Sequence, residues 1–353
     1  MRGAIILAGG QSKRFQDGSG RWADKALAIL FGKPLLAHVI ENVMPVVDEV
    51  ILCVNNASRG SNYLEILRNY SITNVKICVD IMFPHVQGPS AAIATGLKYI
   101  NADYCIILPC DTPFIKPSIV DYLLELAKRF DICAPIHPDG NIETLMFSCN
   151  RRGAAKIAEI LCFLGRSKPV DIIRASSKIK LVSTISEIRK LDPDFKSFIN
   201  INFRSDLIEL PTRVPKEGPV IESIDLNLAQ PLPHELNIIE SVAEKYVKGD
   251  YVDAINSLSR ILRSFEGRDT HFWMGVLWET MGKILYVLTF TKETSKETEE
   301  YYVSGRMAFE KAAHEYAMET EIYRRFQAKF LLESANEDKM WCLAKRDEMG
   351  ALG

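Results

Sequence analysis

Between Gly3 and about Leu210, short β-branched runs alternate with amphipathic segments of helical period, and this alternation constrains the fold more than any other feature of the chain. The strand-like runs are 4–7, 50–54, 75–79, 104–108, 132–134, 145–148 and 179–183. They are apolar along nearly their whole length, which requires cover on both faces, as in a parallel sheet. Helices are predicted near 34–43, 61–69, 89–99, 117–129 and 152–163. Pro34, Pro89 and Pro117 fall in the first turns of these helices, where the missing N–H costs nothing. Strand and helix in alternation give an α/β domain, a doubly wound and mostly parallel sheet of Rossmann-like kind. Ligands of such sheets bind in the crevice at the carboxyl ends of the strands.

The α/β pattern does not fill the chain. At 353 residues the protein exceeds the ~250–300 residues beyond which single cores divide. Prolines recur at 211, 215, 219, 231 and 233 without sustained periodicity, and none follows His234. Residues 1–210 therefore read as the α/β domain, 211–233 as a proline-rich linker and 234–353 as an all-α domain. Apolar content of 47% and charged content of 25% suit a globular protein. A formal net charge of -2 gives no global pull towards nucleic acid or an anionic membrane, so anion binding requires a local site. The eight cysteines include no C-x-x-C pair, and several lie in apolar runs, where a free thiol behaves as a small buried hydrophobe. The apolar run 3–8 is too short for a signal-peptide core, and no stretch approaches the ~20 apolar residues of a membrane span. A cytoplasmic protein is expected.

Three segments carry the chemistry. The first strand runs into Leu7-Ala8-Gly9-Gly10-Gln11-Ser12-Lys13-Arg14. Two glycines after a strand let the backbone approach a ligand, and successive N–H groups in such a turn form an anion-binding concavity. The same sequence also fits a plain turn, but it is neither G-x-G-x-x-G nor a P-loop. Asp24-Lys25-Ala26-Leu27 follows a polar loop; Lys25 is either a neutraliser of polyphosphate or a surface lysine at a helix start. Pro109-Cys110-Asp111-Thr112-Pro113-Phe114 follows the run 104–108. A carboxylate there faces the ligand crevice and suits Mg²⁺, which takes one or two carboxylates plus substrate phosphates. The other reading of Asp111 is a helix cap or turn residue.

These three segments, with Gly88-Pro89-Ser90-Ala91-Ala92 opening a helix and Phe198-Ile199-Asn200-Ile201-Asn202 near the domain's end, resemble the MobA-type molybdenum-cofactor guanylyltransferases over roughly residues 1–210. The resemblance implies the Rossmann-like nucleotidyltransferase fold and an Mg²⁺-dependent transfer of GMP from GTP to molybdopterin, giving the guanine dinucleotide cofactor and pyrophosphate. It implies that Leu7, Ala8, Gly9 and Gly10 contact the nucleotide, that Arg14 and Lys25 engage its phosphates and that Asn55 and Asp80 line its pocket. Asp111 matches the Mg²⁺ ligand, and Asn200 and Asn202 match a polar pair near the metal and acceptor side. Arg14, Lys25 and Asp111 would be the catalytic groups. The chain departs from the family in a longer link, 15–23, before Asp24 and in Thr144, where a proline is common. Other readings are a molybdopterin cytidylyltransferase, a cobinamide-phosphate guanylyltransferase or a non-catalytic nucleotide-sensing scaffold.

In the C-terminal region, Val247-Lys248-Gly249-Asp250-Tyr251-Val252-Asp253-Ala254-Ile255 resembles the turn between the two helices of a tetratricopeptide repeat. Residues 278–285 look like the first helix of a second repeat, with Gly305, Phe309 and Ala312 on its partner after a charged loop at 291–300. That loop exceeds the usual ~34-residue repeat, so the domain is TPR-like, and further helices near 321–333 and 337–346 are needed to complete the stack. Phe272, Trp273, Trp278 and Tyr286 read as core. The domain is either a simple bundle or a docking surface for a protein partner.

Overall fold

The computed structural model describes residues 1–16, 23–212, 217–291 and 295–352. Most of the longer link before Asp24, the linker proline at 215 and part of the charged loop at 291–300 lie outside the described residues. The chain divides into two compact units, Met1–Leu226 and Asn227–Gly353.

The first unit runs β1 (Arg2–Leu7), β2 (Ile29–Leu30), β3 (Lys33–Pro34), α1 (Leu35–Val43), β4 (Glu49–Val54), α2 (Ala57–Arg68), β5 (Lys76–Val79), α3 (Pro89–Tyr99), β6 (Tyr104–Pro109), α4 (Pro117–Leu126), β7 (Ile132–Ile136), β8 (Phe147–Asn150), α5 (Arg151–Phe163), α6 (Val170–Arg174), β9 (Lys178–Ser183) and β10 (Ile224–Asn227). Eight strands form one sheet in the order β10-β9-β7-β8-β6-β1-β4-β5. β1 pairs in parallel with both β4 and β6, β4 with β5, and β7 with β9, while β8 is antiparallel to β6 and β7. The sheet is thus mostly parallel, as the apolar runs imply. All six residues of β4 are buried, and the middle four of β1 and of β6 likewise. Helices cover the sheet through stripes of period 3.6: Leu36, Val39, Ile40 and Val43 on α1, and Ile119, Val120, Leu123 and Leu124 on α4, belong to one core cluster.

The chain winds from β1 through β4 to β5, then returns to the other side of β1 as β6. This reversal leaves a crevice outside the carboxyl ends of β1, β4 and β6, the place where ligands of doubly wound sheets bind. Seven cysteines are buried, and burial pushes the thiols of Cys105, Cys133 and Cys162 up to about 12.

Three local expectations change. Pro34 is not within a helix: its ψ of 145° is extended, it pairs in the small hairpin β2–β3, and α1 begins at Leu35. The segment 211–233 is not wholly a linker, because β10 begins within it and forms the edge of the sheet beside β9. Residues 170–174 form the short helix α6, which no sequence signal marked.

The second unit is all-helical: α7 (Pro233–Lys248), α8 (Tyr251–Ser264), α9 (His271–Thr289), α10 (Ser295–Arg325) and α11 (Lys329–Leu352). Gly249 ends α7 in the left-handed conformation, φ 81°, and lets α8 follow at once. The charged loop is shorter than the sequence suggests, since α10 starts at Ser295, and the two trailing helices are replaced by the end of α10 and a continuous α11. No helix of the described residues is long and apolar enough to cross a membrane.

Close approach of α9 to α10 depends on two glycines. A Cβ at Gly275 would lie 2.6 Å from the Tyr316 ring, and one at Gly282 would lie 2.8 Å from the Phe309 ring. Both rings are fully buried and have nowhere to move. Gly282→Ala is therefore expected to destabilise the protein by about 2 kcal/mol through overpacking. Urea unfolding followed by tryptophan fluorescence checks this, because three of the four tryptophans lie in this unit. An unchanged midpoint would show that the helices separate without cost.

Candidate active site

The walls of the crevice come from four strand ends. At the end of β1 the Ala8 N–H donates to the Cys53 carbonyl (2.9 Å), and the chain then leaves the sheet at Gly9 and Gly10. A Cβ at Gly9 would lie 3.1 Å from the Asn55 nitrogen and 3.2 Å from Asp80 Oδ2, so this glycine is fixed by close approach. A Cβ at Gly10 would meet nothing within 4 Å, since that residue faces open space. Ser12 turns the chain in a left-handed conformation, φ 51°, into a short 3₁₀ turn over Lys13–Phe15. Gln16 then closes the base of the longer link: its amide donates to the Ser12 and Ala23 carbonyls (2.8 and 2.9 Å) and accepts from the Ala23 N–H (2.9 Å). The two flanks of the link are thereby held together beside the site.

Asp24 caps the next 3₁₀ turn, accepting from the Ala26 N–H at 3.1 Å, while the Lys25 N–H donates to Ser12 Oγ at 3.2 Å. Lys25 Nζ donates to the Asp111 carboxylate, and both side chains are largely buried. Asp111 follows β6, and its carbonyl accepts from the Ile201 N–H at 3.0 Å. This bond brings the segment ending in Asn202 to the site, where Asn202 Oδ1 accepts from Arg14 Nη2 at 3.0 Å.

Together these groups line one cleft of about 650 Å³. Leu7, Ala8, Gly9, Gly10, Arg14, Lys25, Asn55, Asp80, Asp111 and Asn202 all face it. Asn200 does not line it; of the pair, only Asn202 meets Arg14. The loop after β5 adds Ile81, Met82, Phe83 and Val86, an apolar wall that sequence reading did not mark.

Sequence reading also missed Arg59, on the first turn of α2. Its Nε and Nη2 donate to the two oxygens of Asp24 (2.9 and 2.8 Å), and Nη1 donates to the Gly10 carbonyl (2.9 Å). No local signal marks it: the helix is expected only from residue 61, and the Asp24 partner lies 35 residues earlier on another element.

Asp80 differs electrostatically from the other acids. Its Oδ1 is buried without a hydrogen-bond partner, and burial raises its pKa to about 6. The folded protein therefore holds a proton here that the unfolded chain has released between about pH 4 and 6, and stability falls as pH rises through that window. Because the group is partly open to the cleft, solvent screening reduces the effect to about 1 kcal/mol. Asp80→Asn is expected to raise stability above pH 6 by that amount and to flatten its pH dependence. Urea midpoints at pH 4.5 and 7.5 without ligand decide the matter; equal shifts at both values would contradict the assignment.

Residues 4–179 match the MobA-like NTP transferase domain. A probable molybdenum cofactor guanylyltransferase of Methanosarcina acetivorans is 31% identical over 207 residues, which cover 58% of this chain and 88% of the relative. A molybdenum cofactor guanylyltransferase of Desulfosudis oleivorans is 30% identical over 206 residues, covering 58% of this chain and 91% of the relative. Among solved structures, the molybdopterin-guanine dinucleotide biosynthesis protein A of Archaeoglobus fulgidus is 22% identical with a TM-score of 0.47, covering 58% of this chain and 95% of that one. The family model and the curated relatives make the first unit a nucleotidyltransferase. Within that class, the chain belongs to the MobA-like NTP transferase family through its first unit.

Proposed function

We propose that the first unit transfers GMP from GTP to molybdopterin, with or without molybdenum, and releases pyrophosphate. A terminal phosphate oxygen of the pterin forms a bond to the α-phosphorus of GTP, and the bond from that phosphorus to the bridging α–β oxygen breaks. The nucleophile is already an anion, so the protein needs no strong general base; positioning and charge neutralisation suffice. The observation that carries this reading is the meeting of Lys25 and Asp111 in the cleft that the glycine turn also lines. Gly10 has open space where a side chain would stand, which suits close approach of phosphate oxygens to the backbone, while Arg14 and Lys25 supply positive charge.

The donor set also fits Mg²⁺. Asp111 offers a hard carboxylate in the lining of the cleft, and Mg²⁺ characteristically completes its shell with substrate phosphates and water. Bound there, the metal would neutralise charge on the triphosphate. Asp24 is unsuited as a second ligand, because Arg59, Tyr63 and the Ala26 N–H already occupy its oxygens. Guanine presents two adjacent N–H donors on its Watson–Crick edge, and the carboxylate of Asp80 is an acceptor in the cleft wall. That chemistry supports GTP over CTP and ATP.

Pyrophosphate release with Mg²⁺, molybdopterin and each of GTP, CTP and ATP tests the proposal. Release with GTP alone is expected. Release only with CTP would change the product to the cytosine dinucleotide, and no release with any nucleotide or phosphate acceptor would favour a nucleotide-sensing scaffold.

A further inference from the structure

Arg59 takes no part in the chemistry described so far, yet it touches more of the site's frame than any phosphate-binding candidate. Its side chain is only 9% exposed and that of Asp24 is 8% exposed. A charge so placed is costly unless it is paired and its donors are satisfied. The pairing here is a fork: Nε and Nη2 meet Asp24 Oδ2 and Oδ1, the planar geometry that guanidinium offers and ammonium does not. Nη1 extends in another direction to the Gly10 carbonyl, with Asn55 Oδ1 at 3.4 Å. One turn on, Tyr63 completes the arrangement by donating to Asp24 Oδ2 (2.7 Å), with the Ala8 carbonyl at 3.2 Å. A single turn of α2 thus grips the loop after β1 and the turn that carries Lys25, two segments with no strand pairing to hold them to each other.

We propose that Arg59 is the positioning residue of the nucleotide site, locking the Gly10 carbonyl and the Asp24-Lys25 turn into one preformed cradle for a triphosphate. The inference rests on the nucleotide-binding reading of the cleft. Asp24 is then an anchor for Lys25 instead of a group that meets substrate. With Arg59 removed, the glycine turn and Lys25 must be ordered at the moment of binding, and the lost preorganisation appears as weaker affinity.

A double-mutant cycle on the full chain tests this, with GTP, CTP and ATP each titrated calorimetrically in Mg²⁺ into wild type, Arg59→Ala, Lys25→Ala and the double variant. Arg59→Ala is expected to weaken binding of the preferred nucleotide about tenfold, and to add less than about threefold once Lys25 is absent, because coupled residues are not additive. A second tenfold loss in the Lys25→Ala background would overturn the proposal, since a general structural role acts equally in both. If Arg59→Ala does not fold, Arg59→Lys carries the same cycle: it keeps the charge but cannot reach both Asp24 oxygens and Gly10 together. Wild-type affinity in Arg59→Lys would equally overturn the positioning role. Wild type that binds none of the three nucleotides would instead sink the underlying reading of the cleft, and the positioning role with it.

Discussion

Asp111→Ala is expected to lower Mg²⁺-dependent nucleotidyl transfer on the order of a thousandfold while leaving the fold in place. The size follows from the role: charge stabilisation by a preorganised group in a water-poor site is the largest single contribution such an enzyme makes, and deleting one such group typically costs about 10² to 10³ in rate. On the proposed reading, in which Asp111 would hold the metal, the effect falls at the upper end. The fold survives for a local reason. Asp111 is tied to its surroundings through its backbone carbonyl, which accepts from Ile201 and which alanine retains. Its side chain meets Lys25, whose long stem carries the freed ammonium to water. Initial rates of pyrophosphate release, read beside the thermal unfolding midpoint, test both halves. Near-normal turnover would remove Asp111 from the mechanism. Asp111→Asn, which keeps the shape and loses the charge, is expected to be nearly as inactive, and a fully active Asn variant would assign the residue to turn geometry.

How far the sequence revealed this site depends on how local each signal is. β1, β4 and β6 were legible because apolar runs of that length need cover on both faces, whatever their partners. Pro89 and Pro117 marked the starts of α3 and α4 because a missing N–H is a property of one residue. The hairpin β2–β3 was hidden by its own turn. Phe31 there has φ 47° and is followed by Gly32 at φ 83°, a turn that usually announces itself with Asn or Asp in place of the aromatic. The boundary between α10 and α11 was placed wrongly for a similar reason. The chain breaks near Gln327, which adopts φ 55° without a glycine or proline to mark it. Asn200 and Asn202 were matched as a pair by family resemblance alone, but only Asn202 meets Arg14. Arg59 was invisible because its meaning lies in Asp24, 35 residues earlier and on another element. Group identity was thus readable one residue at a time, whereas which groups share a wall had to await the fold.

Lys25→Ala is expected to weaken GTP binding about a hundredfold, and to strengthen binding of a divalent cation to the empty site. Hydrogen bonds to charged groups contribute roughly 1.5–3 kcal/mol, which spans about a tenfold to a 150-fold change in affinity. A lysine that meets a triphosphate in a partly buried cleft belongs high in that range. The second effect has the opposite sign and comes from the ion pair. Without nucleotide, Lys25 is the counter-charge of Asp111, so a cation approaching that carboxylate competes with the ammonium. Removing the ammonium leaves a carboxylate only 13% exposed without that partner, and a divalent ion then replaces it at less cost. Calorimetry with GTP measures the first effect, and titration of the protein with Mn²⁺ in the absence of nucleotide measures the second. A fall in GTP affinity together with a rise in Mn²⁺ affinity would place Lys25 between phosphate and carboxylate, moving from one to the other as the nucleotide enters. A fall in both would mean that Lys25 holds Asp111 in position for the metal, and unchanged GTP affinity would remove the lysine from the phosphate site.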